Sequence, residues 1–457
     1  MLSFLFDCTV QVCLIALLQT VIISAYIIPK TLLTLYSLTP RSIKYCLDYA
    51  YLRSHWLQSV FTFHFDCVGQ SALAPTYLLP STPSTIDILA NNCALSVTPL
   101  QLQTDDGYIL TLHRLTKVSS NPHCDNGTST KQPVLIIHGL LMSSDSVLCG
   151  GKSSLAHYLS SLGFDVFLGN NRGNKYSCMH KKLKPKMQKF WDYSLDEFAK
   201  YDVPAMIKFI LHKTGNKKLS IVGFSQGSAQ VFAALSLDNT LCDSINVFIA
   251  LSPAAKPRSF SNPHLSYLFS NAPYSLLRFL FGSQKMFNDS VFMWQKVLSP
   301  KLFAAVVSTA MNILFGWQCT SITPHRRTEL FQHIFSDSSV KSVAHWFHIM
   351  KQEELCSFTN ARLTYLSSFW SLFSSKARES DKYDISTITC PVAVFAGGKD
   401  YLIDPYVVQQ RVKTCILTHI QEGFEHLDLI WADRAADVIF PDIKLLLNRS
   451  FLTSKCC

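Results

Sequence analysis

The pentapeptide GFSQG, Gly223 to Gly227, places a serine between two glycines, each one residue removed from it. The apolar run KLSIVGF before the serine reads as a strand, and QGSAQVFAALSL after it reads as a helix. A strand-to-helix turn that tight admits only glycine at 223 and 227. It holds Ser225 in a strained conformation with its hydroxyl exposed. The chemistry this serves is nucleophilic attack on an acyl carbon. The helix that follows aims its first N–H groups at any negative charge the attack creates.

A serine hydroxyl needs a base, and the base needs a group to orient it. In strand–turn–helix sites of this kind the partners follow in the chain order serine, acid, histidine. After the late apolar run PVAVFAG comes GGKDYLID, which offers Asp400 as the acid and Asp404 as the alternative. After the run CILTHI comes EGFEHLDLIW, with His426; the competing His419 lies inside the strand-like run itself. Asp400 would hold the imidazole of His426 in one tautomer and stabilise the imidazolium once it has taken the serine proton. The backbone N–H groups of Gln226 and of Leu140, in HGLL after the run PVLIIHG, are the candidate oxyanion donors. His138 beside Leu140 is read as shaping that loop rather than as a base.

These residues require a sheet whose strand ends expose loops on one edge. The sequence supplies TDDGYILTLHRL (Thr104–Leu115), a hairpin turning at Asp106-Gly107. It then supplies apolar runs at Pro133–Gly139, Phe164–Asn171, Lys218–Phe224, Ile245–Ala254 and Pro391–Gly397. Between the second and third of these, SLDE opens a helix with a capping box from Ser194 to Glu197. Gly215 closes that helix, and Pro204 inside it should kink it. Strands alternating with helices predict an α/β class and a mostly parallel sheet. Between Pro253 and Cys390 the alternation stops. The segment is rich in Phe, Trp, Leu and Tyr and reads as an inserted, mostly helical cap or lid, part of it lining an acyl tunnel.

The predicted layout is an N-terminal membrane anchor or hairpin over 1–40, a linker over 41–90 and a first part of the core over 91–254. The cap follows over 255–389, the second part of the core over 390–445 and a tail over 446–457. The anchor rests on Cys8 to Ile28, which carries no charge; at about 1.5 Å per residue a run of that length crosses a hydrocarbon core of roughly 30 Å. Asp7 before it and bulky Tyr26, Ile27 and Ile28 at its end do not fit a cleaved signal. Lys30, Arg41, Lys44 and Arg53 after it place the remainder in the cytosol.

Only 16% of the 457 residues are charged, against about a quarter in an average soluble protein, and 48% are hydrophobic. The formal charge of +10 comes without a nucleic-acid motif, so a membrane surface of anionic phospholipid headgroups is the expected partner and nucleic acid is not. The densest basic run, HKKLKPK at His180–Lys186, reads as a solvated loop. Fifteen scattered cysteines show no metal-ligand spacing, which argues for reduced thiols; no metal and no cofactor is expected. The sequons at Asn126, Asn288 and Asn448 argue weakly the other way, for a luminal domain.

With these residues in place a resemblance emerges. DGYILTLHR, HGLLMSSD, GNNRGNKYS, FWDYSLDEFAKYDVPA, GFSQGSAQ, ALSPA, SVKSVAHWF, GGKDYLID and EHLDLIW occur in the order of the acid lipase family, from about residue 90 to 440. Within it the chain resembles the fungal steryl ester hydrolases that carry an N-terminal membrane anchor. The resemblance implies an α/β-hydrolase fold, a triad of Ser225, Asp400 and His426, oxyanion donors at Leu140 and Gln226, and a lid within the cap. It also implies a steryl ester hydrolase on a lipid droplet or the endoplasmic reticulum membrane, acting on stored neutral lipid. Three alternatives stay open: a triacylglycerol lipase, an acyltransferase on the same fold, and a catalytically inactive lipid-droplet scaffold.

Overall fold

The computed structural model describes residues 85–117, 131–258, 260–261, 263–271, 274–287, 290–358 and 381–455. The anchor expected over residues 1–40, and the linker as far as residue 84, lie outside them. Among the described residues no helix is long and apolar enough to cross a membrane.

The core opens earlier than expected. The linker predicted to run to residue 90 gives way at Thr85 to helix α1 (Thr85–Asn91), which buries Ile86 and Ala90. Strands β1 (Leu95–Gln103) and β2 (Tyr108–Lys117) then form the predicted hairpin, with Leu102 opposite Leu110. Its turn requires Gly107, whose φ is +99°, a region an L side chain avoids.

The parallel part of the sheet comes from the predicted apolar runs. Strands β3 (Pro133–Ile137), β4 (Asp165–Gly169), β6 (Leu219–Phe224), β7 (Ile245–Leu251) and β8 (Val392–Gly397) are buried along their whole lengths. Burial on both faces explains why they read as continuous apolar runs rather than as alternation. The order across the sheet is β1-β2-β4-β3-β6-β7-β8-β9, where β9 is Cys415–Gln421 and a short β5 (Met179–His180) pairs with β2. From β4 to β9 every pairing is parallel; β1–β2, β2–β4 and β2–β5 are antiparallel.

The helices on the two faces carry two local results. Ser194 and Glu197 form the expected capping box. The chain then passes through a π-helical turn, Phe198–Asp202, before helix α3 (Val203–Thr214). Pro204 has no N–H and its ring crowds the preceding turn; the wider turn there accommodates both. Gly215 ends α3 in the left-handed conformation. Helix α2 (Leu155–Ser161) lies between β3 and β4, and α4 (Gln226–Leu237) follows the turn at Ser225.

Between β7 and β8 the described residues form helices: α5 (Pro263–Asn271), α6 (Tyr274–Phe281), α7 (Ser290–Val297), α8 (Pro300–Phe315), α9 (Pro324–Leu330) and α10 (Val340–Gln352). Leu277 of α6 and Ala344 of α10 pack with Phe358 into a small apolar cluster of their own. Helix α7 belongs to a second compact unit, represented among the described residues by 290–299; the site described below lies wholly in the first. After β8 come α11 (Tyr406–Arg411), β9, the short α12 (Asp428–Trp431) and α13 (Ala435–Val438), and α14 (Phe440–Lys455). The tail predicted from residue 446 is instead continuous with α14, Phe440–Lys455.

Candidate active site

Four loops meet at the carboxyl ends of β3, β6, β8 and β9. The turn after β6 brings Ser225 to φ +53° and ψ −115°, a conformation rarely occupied by a residue other than glycine. The two glycines are sterically required. A Cβ on Gly223 would lie 2.7 Å from the backbone N of Ser228, and one on Gly227 would lie 2.3 Å from the carbonyl oxygen of Ile137. Helix α4 therefore sits directly against the end of β3.

The structure brings Ser225, His426 and Asp400 together. His426 Nε2 is 2.7 Å from Ser225 Oγ, and His426 Nδ1 is 2.7 Å from Asp400 Oδ2. Since the carboxylate can only accept, Nδ1 carries the proton and Nε2 is left to accept from the serine hydroxyl. Asp400 is buried, and its second oxygen accepts from the backbone N–H of Leu402 at 3.1 Å. The alternatives are occupied elsewhere. Asp404 accepts from the backbone N–H of Tyr406, and His419 Nδ1 faces Asp442 at 3.0 Å.

Gln226 is the first residue of α4, so its N–H is one of the helix's unmatched donors. Its side chain is fixed from above, because the Trp346 indole of α10 donates to Gln226 Oε1 at 2.7 Å. Leu140 lies in the turn after β3, which next places Leu141 in the left-handed region. That turn is pinned by Ser336, whose N–H donates to the Leu141 carbonyl at 2.6 Å. His138 is indeed a brace: Nδ1 meets the Gly139 carbonyl at 2.8 Å, and Nε2 accepts from Asn174 at 3.2 Å and from the Asn171 N–H at 3.3 Å. Burial pushes its pKa down to about 4, so it stays neutral near pH 7.

A buried charge network supports the loop after β4. Arg172 donates to Asp202 at 2.8 Å, bridges to Asp106 in the hairpin turn, and lies 4.1 Å from the Tyr108 ring centroid. Asp145, buried, meets Lys175 and accepts from Tyr176 at 2.7 Å. These contacts give physical content to the GNNRGNKYS and HGLLMSSD segments. In the basic run that follows, His180 packs edge-on against Tyr108 rather than standing in solvent. Among the described residues no cluster of His, Cys, Asp or Glu side chains is arranged to hold a metal ion.

Three residues around His426 had no signal in the sequence. Ser252, at the end of β7, donates its hydroxyl to the His426 carbonyl at 3.2 Å. Trp317 stacks on the imidazole, with ring centroids 4.8 Å apart and planes within 6°. Glu425 accepts from the backbone N–H groups of Gln318 at 2.8 Å and Cys319 at 2.7 Å. Ser252 lies within ALSPA and Glu425 beside the histidine, but neither segment reveals which distant backbone it will meet.

Comparison with known proteins matches this geometry to a family. Residues 132–282 match the model of the alpha/beta hydrolase fold, and residues 86–151 match that of a partial alpha/beta-hydrolase lipase region. The chain is 38% identical to "Probable lipase C1672.09" of Schizosaccharomyces pombe, over 75% of this chain and 72% of that one. It is 32% identical to human lysosomal acid lipase/cholesteryl ester hydrolase, over 72% of this chain and 82% of that one. It is also 32% identical to rat gastric triacylglycerol lipase, over 75% and 86%. A solved structure from Sulfolobus solfataricus shares the fold, with a TM-score of 0.51 at 12% identity, covering 78% of this chain and 95% of that one. The chain belongs to the acid lipase family of α/β-hydrolases and is a lipase-type ester hydrolase.

Proposed function

We propose that the protein is a membrane-attached steryl ester hydrolase that works through an acyl-enzyme intermediate on Ser225. The observation that carries the reading is the continuous hydrogen-bond line from Ser225 through His426 to Asp400, 2.7 Å at each step. His426 takes the hydroxyl proton as Ser225 Oγ bonds to the ester carbonyl carbon, and Asp400 stabilises the imidazolium so formed. The carbonyl oxygen becomes an oxyanion, with the N–H groups of Leu140 and Gln226 as its donors. Collapse breaks the bond to the alcohol, which leaves with the proton from His426. Water then repeats the cycle on the acyl-serine and releases the fatty acid.

A neutral-lipid ester is the substrate class that the relatives support, since they are named for cholesteryl esters and for triacylglycerols. The triacylglycerol reading therefore remains the second one. The segment 255–389 is assigned as the cap and lid, in keeping with the tie of α10 to the site through Trp346 and Gln226. Attachment through residues 1–40, to the lipid droplet or the endoplasmic reticulum membrane with the catalytic domain in the cytosol, rests on the uncharged run from Cys8 to Ile28.

The test uses purified full-length protein in detergent. A fluorophosphonate should label the wild type and leave Ser225→Ala unlabelled, and steryl ester should be cleaved faster than triacylglycerol from matched emulsions. Labelling of Ser225→Ala would remove the nucleophile assignment, whereas faster triacylglycerol cleavage would select the second reading. Deleting residues 1–40 should release the protein from membranes while hydrolysis of a soluble ester survives; full retention after a carbonate wash would place the anchor elsewhere.

A further inference from the structure

The imidazole of His426 is held by more than its two hydrogen bonds. Trp317 lies parallel to it at 4.8 Å, and Phe315 stacks on Trp317 at 4.4 Å. Trp317 comes from the helical insertion, not from the sheet. Gly316, with φ +73°, ends α8, and Cys319, with φ +55°, turns the chain again three residues later. Between these two reversals the backbone N–H groups of Gln318 and Cys319 are gripped by both oxygens of the buried Glu425 carboxylate. Glu425 precedes His426 and Gln318 follows Trp317, so stack and clamp form one two-point attachment.

The same strap is tied down again farther on. Asp433 N–H donates to the Ser321 carbonyl at 3.0 Å, and the Asp433 carboxylate accepts from the Thr323 N–H at 3.2 Å. The indole N–H of Trp317 is buried without an acceptor among the described residues. A phenylalanine would fill the same stack without burying an unpaired donor, which costs free energy. What indole adds over benzene in this slot is a stronger π face toward a cation. A cation is what His426 becomes each time it takes the serine proton.

Resting on the serine-hydrolase reading above, we propose that Trp317 is a positioning residue for His426. Its π face holds the imidazole in line with Ser225 and Asp400 and favours the imidazolium, and Glu425 fixes the strap that presents it. Among the described residues, the charged groups placed about His426 are Asp400 after β8, and Glu425 and Asp428 after β9; Lys399, beside Asp400 in the chain, is exposed. The strap itself, GWQCTSIT, carries no charge, so its influence on the imidazole comes through the ring.

The test is the pH profile of kcat/KM for a short-chain, water-soluble ester, using the full-length protein and its Trp317→Phe and Trp317→Leu variants. The acidic limb of that profile reports the free-enzyme histidine. Losing the π face disfavours the imidazolium, so the limb should move to lower pH, by about 0.5 to 1 unit in Trp317→Leu and less in Trp317→Phe. Plateau activity should fall roughly tenfold in Trp317→Leu as the ring loses its alignment, with most of it restored in Trp317→Phe. Asp428→Asn run alongside separates any limb belonging to that carboxyl. A folded Trp317→Leu with an unmoved limb and a wild-type plateau would overturn the proposal. Should Trp317→Leu not fold, Trp317→Met, which fills the slot without a ring, takes its place, and an unmoved limb with a wild-type plateau there has the same force. Fluorophosphonate labelling of each protein keeps the two readings apart. A wild type that fails to label removes the serine mechanism, whereas normal labelling with unmoved limbs removes only the role of Trp317.

Discussion

Gly227→Ala tests whether the active-site turn is built to the tolerance its geometry implies. The added Cβ would sit 2.3 Å from the Ile137 carbonyl oxygen and 2.8 Å from that of His138, both backbone atoms at the end of β3. Ordinary contact begins near 3.4 Å, so α4 and β3 must part by about 1 Å. That movement separates the Gln226 N–H, on α4, from the Leu140 N–H, in the loop that continues β3. A misplacement of about 1 Å in such a constellation costs on the order of 100-fold in rate. Overpacking of this kind also destabilises by about 1–3 kcal/mol. The assay is turnover of a water-soluble p-nitrophenyl ester, paired with a urea denaturation curve. Gly150→Ala is the control: its Cβ meets nothing closer than 3.5 Å, and the residue has φ −69°. Wild-type turnover and midpoint in Gly227→Ala would refute the reasoning, because the donors would then tolerate the displacement.

Three further outcomes are expected. Asp400→Asn should lose about 10⁴-fold in kcat, because the imidazole tautomer is no longer fixed, while Asp404→Asn should stay within a few-fold; the reverse ranking would move the acid. Arg172→Met should cost about 3–5 kcal/mol in a denaturant titration, since it leaves Asp202 as an unpaired charge at a fully buried site; a loss below about 1 kcal/mol would mean the pair is dispensable. Burial, with Glu425 and Asp400 nearby, pushes the Asp428 carboxyl up to about 6. Its contribution to stability is then full below the unfolded value near 4 and declines as pH rises through 6, by about 1.4 kcal/mol for each pH unit between the two values. The stability of the wild type relative to Asp428→Asn should accordingly fall between pH 4 and pH 6; a flat difference would contradict the assignment.

Residue types and local spacing carried a large part of this molecule. The five strands from β3 to β8 in the parallel sheet are continuous apolar runs because both their faces are covered, and such runs are visible without a structure. Ser225, Asp400 and His426 were legible because each follows a strand, and a sheet delivers consecutive strand ends to one edge. Gly223 and Gly227 announced the tight turn through the absence of a side chain. The same local reading misjudged boundaries. Thr85–Asn91 became a helix because β1 offered a surface on which to bury Ile86 and Ala90, and α14 ran on to Lys455 past the predicted tail. At Pro204 the expected kink was absorbed by a wider turn just before it.

Tertiary structure alone decided what surrounds the histidine. Trp317, Trp346 and Ser252 reach the site in pairings no periodicity encodes: Trp346 binds Gln226 at a separation of 120 residues, and Ser252 binds His426 at 174. A strand or helix repeat reports which side of an element is apolar, because that depends on neighbours two to four residues apart. Which distant strap will lie against the imidazole depends on how the segment after α8 settles on the sheet. That is fixed by packing across the whole fold, so the strand ends that carry Ser225, Asp400 and His426 can be read from the chain while the indole stacked on the imidazole cannot.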